Sequence, residues 1–534
     1  MTDRSRLGTL VGLEPFLVLA AGPPLVLREL FPWPLQVAAL AWLAGLWVLR
    51  RMATGSWSIR TALDLPIMAL LATLPLAVAA GVARTAQPLR PLADSMVLAG
   101  ARAGAPWSRA ESLLFAVALY YAMANAVDTP RRAWWALMGL MGAGLGLAAV
   151  GLVGASWQVK LPILTPLAQK LPHWLATIPH PTLSAGVHPN TIAALLILPL
   201  ALAAVCLAGP RRAASGVAPG ADRGRADPVN EAALGPETIV AEAVSSEPLI
   251  VGAAGSKPLP TEPVGSKPLP TEPVPHLRPD RTLAPPRLLR PVALLTLALG
   301  VPILLLSQSR GAWIALAGAL LIAPFTRLRP RWRLAVVSTV ALAGVLAAGF
   351  IMVGADFEGT GNLRLTDALK LLGSGGHLGR PDIWLQSLDL VAAHPLTGIG
   401  LNTFPLVFGQ LPEFGGYFVY RGFAHAHNTL LQAALDYGLP GMTAVAGLFA
   451  AAAWAAYRAR RRLAGTALEA AVMGVALALA AYALHGLVDT IAIGAKPGFY
   501  IWAYAGVLAA LRARAHQWHA AGDRGNRAGG RMTL

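Results

Sequence analysis

One cysteine, Cys206, stands among 534 residues, so the chain can build neither an internal disulfide nor a cysteine-based metal site. Charge is scarce as well. Only 13% of the residues are Asp, Glu, Lys or Arg, and the acids (26) are fewer than the bases (43). The short alternating segments of a transmembrane barrel are missing. So is a clean A-x-A exit after the first apolar segment, which is therefore expected to stay in place as a span. What is abundant is apolar sequence, at 55% of the chain. It falls into runs of about 18 or more residues, long enough to cross a hydrocarbon core, and only helices or closed barrels satisfy their backbone there. The expected class is all-α: a polytopic integral membrane protein. A net charge of +17 would suit nucleic acid. The arginines, however, sit in short loops between apolar runs, as the positive-inside rule has them, so the predicted partner is the bilayer and not nucleic acid.

About twelve spans are expected. The first six cover roughly 9–27, 34–49, 65–82, 113–127, 134–152 and 190–207. The last six cover roughly 291–306, 312–325, 334–353, 440–456, 470–488 and 493–511. Arg50, Arg51, Arg131, Arg132, Arg211, Arg212, Arg327, Arg329 and Arg458 mark cytoplasmic loops, which places both termini inside. The domain plan is a bundle over 1–208, a linker over 209–286, a second bundle over 287–512 with an external segment at 354–426, and a basic tail over 513–534. The linker is rich in Pro, Ala, Glu and Ser and repeats GSKPLPTEPV in tandem at Gly255–Val264 and Gly265–Val274; it reads as disordered and cytoplasmic. Segment 83–110 breaks the pattern. It carries Arg84, Arg90, Arg102 and Arg109 on the external side, which suggests a re-entrant or lipid-attracting surface segment. Glu14, inside span one, is expected to face other helices.

Three polar elements converge on the predicted external face: Ser309–Arg310–Gly311; Gly379–Arg380 through Trp384, followed by the turn His394–Gly400; and His427–Asn428 with Gly438 and Gly441 beyond, where a helix stop is expected. Ionisable residues beside membrane spans are functional candidates. Histidine is a natural general base near neutral pH. At a helix start the dipole disfavours imidazolium and keeps the base free. Arginine suits phosphate groups because its planar fork binds phosphate oxygens in pairs.

These motifs resemble the O-antigen ligase and polymerase superfamily of bacterial membrane glycosyltransferases. His427–Gly441 matches that family's H-[NSQ]-x9-G-x-x-[GTY] signature in full, and the SRG turn, the GR-x-x-x-W segment and the HPLTGIG turn follow in the family's order. The resemblance implies a GT-C-like fold in the cytoplasmic (inner) membrane, with its active face external. It implies transfer of a glycan from an undecaprenyl- or other polyprenyl-diphosphate carrier to an acceptor hydroxyl on a glycan, lipid or protein, during surface polysaccharide assembly in the cell envelope, with no cofactor and no metal. On this reading His427 is catalytic, and Arg310 and Arg380 bind the diphosphate.

Each assignment has a structural alternative. Arg310 can anchor a hairpin by snorkelling, and Arg380 can pair with Asp382. Asn428 can cap a helix or orient glycan. His425, two residues from His427, is expected to face elsewhere on the helix. His485 and Asp489, four apart on one face, either orient the site or bond one another. Asn190, beside His188 at the opening of span six, is a supporting residue. Asp356 and Glu358 are the acidic pair a metal-dependent enzyme would use, but they follow span nine and lack histidine spacing. Within the enzyme class, ligation, repeat-unit polymerisation and protein O-glycosylation stay open. From another class, a flippase for lipid-linked glycan would also use external arginines, yet no duplicated halves are visible.

Overall fold

The computed structural model describes residues 12–86, 105–155, 187–208, 284–325, 380–408 and 425–529, together with 157, 166, 170, 171 and 174. Outside the described residues lie nearly all of the predicted linker with its tandem repeat, predicted span nine, Asp356 and Glu358, most of the external segment 354–426, and the end of the basic tail.

The described chain is helical and contains no strand, only an isolated bridge between Ala155 and Val187. In order, the helices are α1 (Glu14–Ala20), α2 (Gly22–Val26), α3 (Trp33–Thr54), α4 (Asp64–Thr85), α5 (Ala105–Ala126), α6 (Pro130–Gly154) and α7 (Pro189–Ala208). They continue as α8 (Leu289–Leu306), α9 (Arg310–Phe325), α10 (Arg380–Ala393), α11 (Phe404–Phe408), α12 (Thr429–Arg462), α13 (Ala467–His485) and α14 (Phe499–Gly529). Seven of them, α3, α4, α6, α7, α8, α12 and α13, are long and apolar enough to cross a membrane. Against the expected twelve or so spans, seven such helices stand among the described residues. Predicted span one divides instead into α1 and α2, of 7 and 5 residues, where Gly22, Pro23 and Pro24 interrupt the run.

Helix α7 is the centre of the bundle. Every residue from Ile192 to Ala203 is buried, as expected of a helix that is apolar all round. Helices α6, α8, α9 and α13 all pack on it. Small residues bring them close: a Cβ on Gly144 of α6 would stand 2.5 Å from Pro199, and one on Gly474 of α13 would stand 2.7 Å from Leu202. Backbones held this near one another are the usual means of helix association in lipid.

The arginine-rich helix ends gather together. Arg50, at the end of α3, meets Glu14 at 2.6 Å with both side chains buried, so Glu14 faces protein as expected. Arg514 of α14 donates to the carbonyls of Ala124 and Asn125 at 2.8 and 3.0 Å. Arg512 lies near Arg458 and Arg462. The start of α12 and the end of α13 are at the other end of the same helices. A small separate core of Ile383, Val391, Ile399, Phe404, Phe408, Ala426, Ala434 and Leu435 joins α10, α11 and the first turns of α12 there.

Candidate functional site

The site is built at the first turn of α12. Asn428 is its N-cap, and its side-chain oxygen accepts from the backbone N–H groups of Leu430 and Leu431, both at 3.0 Å. The cap is therefore the role the structure gives Asn428. Its amide also donates to Leu487 O at 3.2 Å. Thr429 N–H donates to Gly486 O at 2.7 Å and its hydroxyl meets that of Thr490 at 2.8 Å, docking the start of α12 on the turn after α13. The chain enters through His427 at φ +52. Non-glycine residues hold this left-handed conformation only when their surroundings impose it. Those surroundings are explicit. The backbone of Ala426 is held at both ends, its N–H by Gln432 Oε1 at 2.8 Å and its carbonyl by Trp384 Nε1 at 2.9 Å.

Asp489 is the hub. Its Oδ1 lies 3.0 Å from His427 Nδ1, 2.9 Å from the Thr490 backbone N and 3.9 Å from His425 Nε2. Its Oδ2 accepts from Asn190 Nδ2 at 3.3 Å and lies 3.9 Å from Arg380 Nη2. Burial on its own would raise the carboxyl's pKa. The hydrogen bond with His427 and the neighbouring His425, His427 and His485 outweigh it and hold Asp489 well below the usual carboxylate range. An ionised carboxylate accepts only, so the proton of neutral His427 sits on Nδ1 and Nε2 is left as the basic nitrogen.

Of the two roles expected for Asp489, orienting the site or bonding His485, the geometry fits the first: it lies in the turn beyond α13, which ends at His485, and its side chain bonds His427 and not His485. Only the Asp489 backbone N–H reaches His485, at its carbonyl, 2.9 Å away. The His485 ring is buried, with both nitrogens lacking a hydrogen-bond partner. His425, predicted to face away on the helix, precedes the helix altogether. It packs edge-on to His427, ring centroids 4.3 Å apart, and its Nδ1 accepts from His427 N–H at 3.3 Å. Burial and then the charge of His427 push the His425 imidazole down to about 3, so it stays neutral.

Two helix starts reach this carboxylate, through Asn190 and Arg380, and two more lie close by. Asn190 is in the first turn of α7, Arg380 is the first residue of α10, and Asn428 caps α12. Arg310 opens α9, where a Cβ on the adjacent Gly311 would stand 3.0 Å from Val488 and 3.9 Å from His485. Helix N-termini present free N–H groups and positive potential, the field an anion seeks. The structure thus gathers His427, His425, Asp489, Asn190 and Arg380 around one point, with Arg310's helix start beside them.

The O-antigen ligase family model matches residues 295–446. This stretch belongs to the O-antigen ligase superfamily. No curated protein matches the chain. The match supports a multi-pass membrane protein with ligase- or polymerase-type activity in polysaccharide assembly. The O-antigen ligase stretch contains Arg310, Arg380, His425, His427 and Asn428, whereas Asn190, His485 and Asp489 fall outside it.

Within the O-antigen ligase stretch, two landmark motifs form a single unit. Gly438, at φ +75, kinks α12 where a stop was expected, and the helix continues to Arg462. The kink parts Leu435 O from Leu439 N. The HPLTGIG turn takes up both: Ile399 N–H donates to Leu435 O at 2.8 Å, and Leu439 N–H donates to Pro395 O at 2.7 Å. Glycine is required at both faces of this junction, since a Cβ on Gly398 would stand 2.2 Å from Leu435 O and one on Gly438 would stand 2.2 Å from Leu396 O. The turn also absorbs two of the misplaced arginines. Arg84 bonds His394 Nε2 at 2.5 Å, and Arg109 donates to Asn402 Oδ1. Where the sequence suggested a re-entrant or lipid-attracting segment, both arginines have partners within the protein. Arg90 and Arg102 lie outside the described residues.

His425, His427 and Asp489 also present ligand atoms within 4.8 Å of one another, a set of two imidazoles and one carboxylate of a kind divalent transition metals accept. Local spacing could not announce it, because the carboxylate lies 62 residues beyond His427.

Proposed function

We propose that this chain is an O-antigen ligase-like glycosyltransferase, which moves a glycan from a polyprenyl-diphosphate carrier to an acceptor hydroxyl without a metal. The observation that carries this reading is the Asp489–His427 pair at the meeting point of the helix starts, with Arg380 3.9 Å from the same carboxylate.

His427 Nε2 takes the proton from the acceptor hydroxyl as its oxygen bonds to the anomeric carbon. Asp489 holds the ring by Nδ1–H and stabilises the imidazolium that forms. The bond from the anomeric carbon to the diphosphate breaks, and the electron pair leaves with the phosphate oxygen. The guanidinium groups of Arg380 and Arg310, with the N-termini of α9 and α10, receive that negative charge. The arginine-rich helix ends are at the far end of the bundle. By the positive-inside rule they lie in the cytoplasm of a bacterial inner membrane, and the site opens outward.

The test uses purified full-length protein in bilayer discs with labelled lipid-diphosphate glycan and lipid, glycan or protein acceptors. Transfer is expected to survive a chelator and to vanish in His427→Ala. Transfer that persists in His427→Ala removes the base, and loss of transfer on chelation moves the role of the histidines to metal binding.

A further inference from the structure

The loop that carries the base is tied to a charged pair buried far from it in sequence. Gln432, one turn into α12, holds Ala426 N–H through Oε1 at 2.8 Å and donates from Nε2 to Asp436 Oδ1 at 3.0 Å. Four residues apart, the two share one helix face. Asp436 Oδ1 also accepts from the backbone N–H of Asn402 at 3.1 Å. Arg109, from α5, stands 3.8 Å from Asp436 Oδ2, their side chains 13% and 1% exposed, and donates to Asn402 Oδ1. A continuous polar chain therefore runs from Arg109 through Asp436 and Gln432 to the residue before His427.

A buried ion pair by itself is ordinary interhelical glue. Three observations say that this one has a further task. Gln432 spends its acceptor on the Ala426 peptide and on no neighbouring helix. Trp384 grips the next peptide, Ala426–His427, at its carbonyl, so the two peptides that lead into His427 are each fixed. Finally, Asn402 (φ +59) and His427 (φ +52), at the two ends of the chain, are two of the three non-glycine residues with positive φ among the described residues. L side chains hold that conformation only where surrounding contacts over-determine it.

We infer that Arg109, Asp436 and Gln432 are positioning residues, which set the backbone of His427 and so aim its ring between Asp489 and the acceptor. None of the three touches a reactant. Arg109 lies outside the matched stretch 295–446, so the inference brings the N-terminal half of the bundle into the chemistry. Its activity readout rests on the proposed transfer reaction; its conformational readout does not.

The experiment takes full-length protein in bilayer discs and compares wild type with Gln432→Leu, Asp436→Asn and Arg109→Gln. One measurement is steady-state transfer. The other is the rate at which diethyl pyrocarbonate modifies His427, followed by mass spectrometry between pH 5.5 and 8. In Gln432→Leu, kcat is expected to fall at least tenfold with donor KM within twofold, while the modification rate of His427 shifts at least threefold and the melting temperature holds. An unchanged modification profile in Gln432→Leu overturns the inference even if activity drops. A shifted profile with no transfer in any protein, wild type included, upholds the positioning and sinks the proposed reaction. Should Asp436→Asn or Arg109→Gln fail to fold, Gln432→Leu decides alone, since it leaves the ion pair in place.

Discussion

Replacing Asp489 by Asn is the sharpest perturbation of the site, because it removes one charge and almost no volume. The carboxylate is buried, its side chain 7% exposed, and its Oδ1 lies 3.0 Å from His427 Nδ1. With charge centres about 4 Å apart and an effective dielectric near 20, a full imidazolium gains about 4 kcal/mol from it. Asparagine keeps an acceptor oxygen but loses that attraction. Its amide can also present N–H to Nδ1, which selects the wrong tautomer. Proton transfer is partial at the transition state, so about 3 to 4 kcal/mol of the barrier is at stake, a fall of about 10² to 10³ in kcat at 1.36 kcal/mol per decade. The assay is steady-state transfer of labelled glycan by purified Asp489→Asn, with melting temperature measured alongside. Donor KM should stay within about threefold, since the substitution spares the guanidinium groups. A drop of less than fivefold in kcat, in a protein that still requires His427, refutes the dyad.

Trp384→Phe keeps the ring and deletes the 2.9 Å bond to Ala426 O; a loss of about 1 kcal/mol should lower kcat several-fold with donor KM unchanged, and no kinetic change would show the grip to be idle. Gly398→Ala places a methyl 2.2 Å from Leu435 O at a residue with φ +64 and should abolish folded protein on size-exclusion chromatography, whereas Gly45→Ala, with nothing within 4 Å of its Cβ, should stabilise by about 0.5–1 kcal/mol; equal behaviour would refute the junction. For His425, whose folded pKa is pushed down to about 3, the unfolded chain binds the extra proton below its ordinary pKa of roughly 6.5. Stability should therefore be full above that pH and decline as pH falls towards 3. Melting temperatures from pH 7 to 5 should fall less steeply in His425→Asn, and parallel slopes would contradict this. Cys206 is buried, so added thiols report cleanly: Leu396→Cys, 71% exposed in the wild type, should react with an impermeant maleimide in cells whose outer barrier is opened, and Arg461→Cys only after the inner membrane is breached. The reverse order would invert the orientation.

Much of the bundle was legible because apolar runs are a local signal. Helices α3, α4, α6, α7 and α8 fall where their runs predict them, and the signature around His427 pointed to the candidate site. What escaped depends on partners distant in sequence. Gly438 followed by Pro440 reads locally as a stop, yet α12 continues because Pro395 and Ile399 supply the hydrogen bonds the kink removes. Helical spacing put Asp489 on one face with His485 and left open whether the two bond, whereas the turn after α13 swings the carboxylate to a histidine 62 residues earlier. Arg84 and Arg109 looked like topology errors because charge rules count arginines without seeing their partners. Gln432 and Asp436 were hidden inside the nine variable positions of the signature, and nothing local distinguishes them from neighbours that pack.

The hub carboxylate stands 43 residues beyond the end of the stretch that names the family, from 446 to 489. Exchanging 295–446 between two such proteins would transplant the imidazoles and both guanidinium groups while leaving behind the acid that holds the ring and the amide of Asn190 that steadies the acid. Chimeras meant to swap acceptor preference would then come out inert for reasons unrelated to the acceptor. Cuts placed before position 189 and after position 490 would carry the imidazoles, the guanidinium groups, the acid and Asn190 across together, and cuts before position 84 would add Arg84 and Arg109.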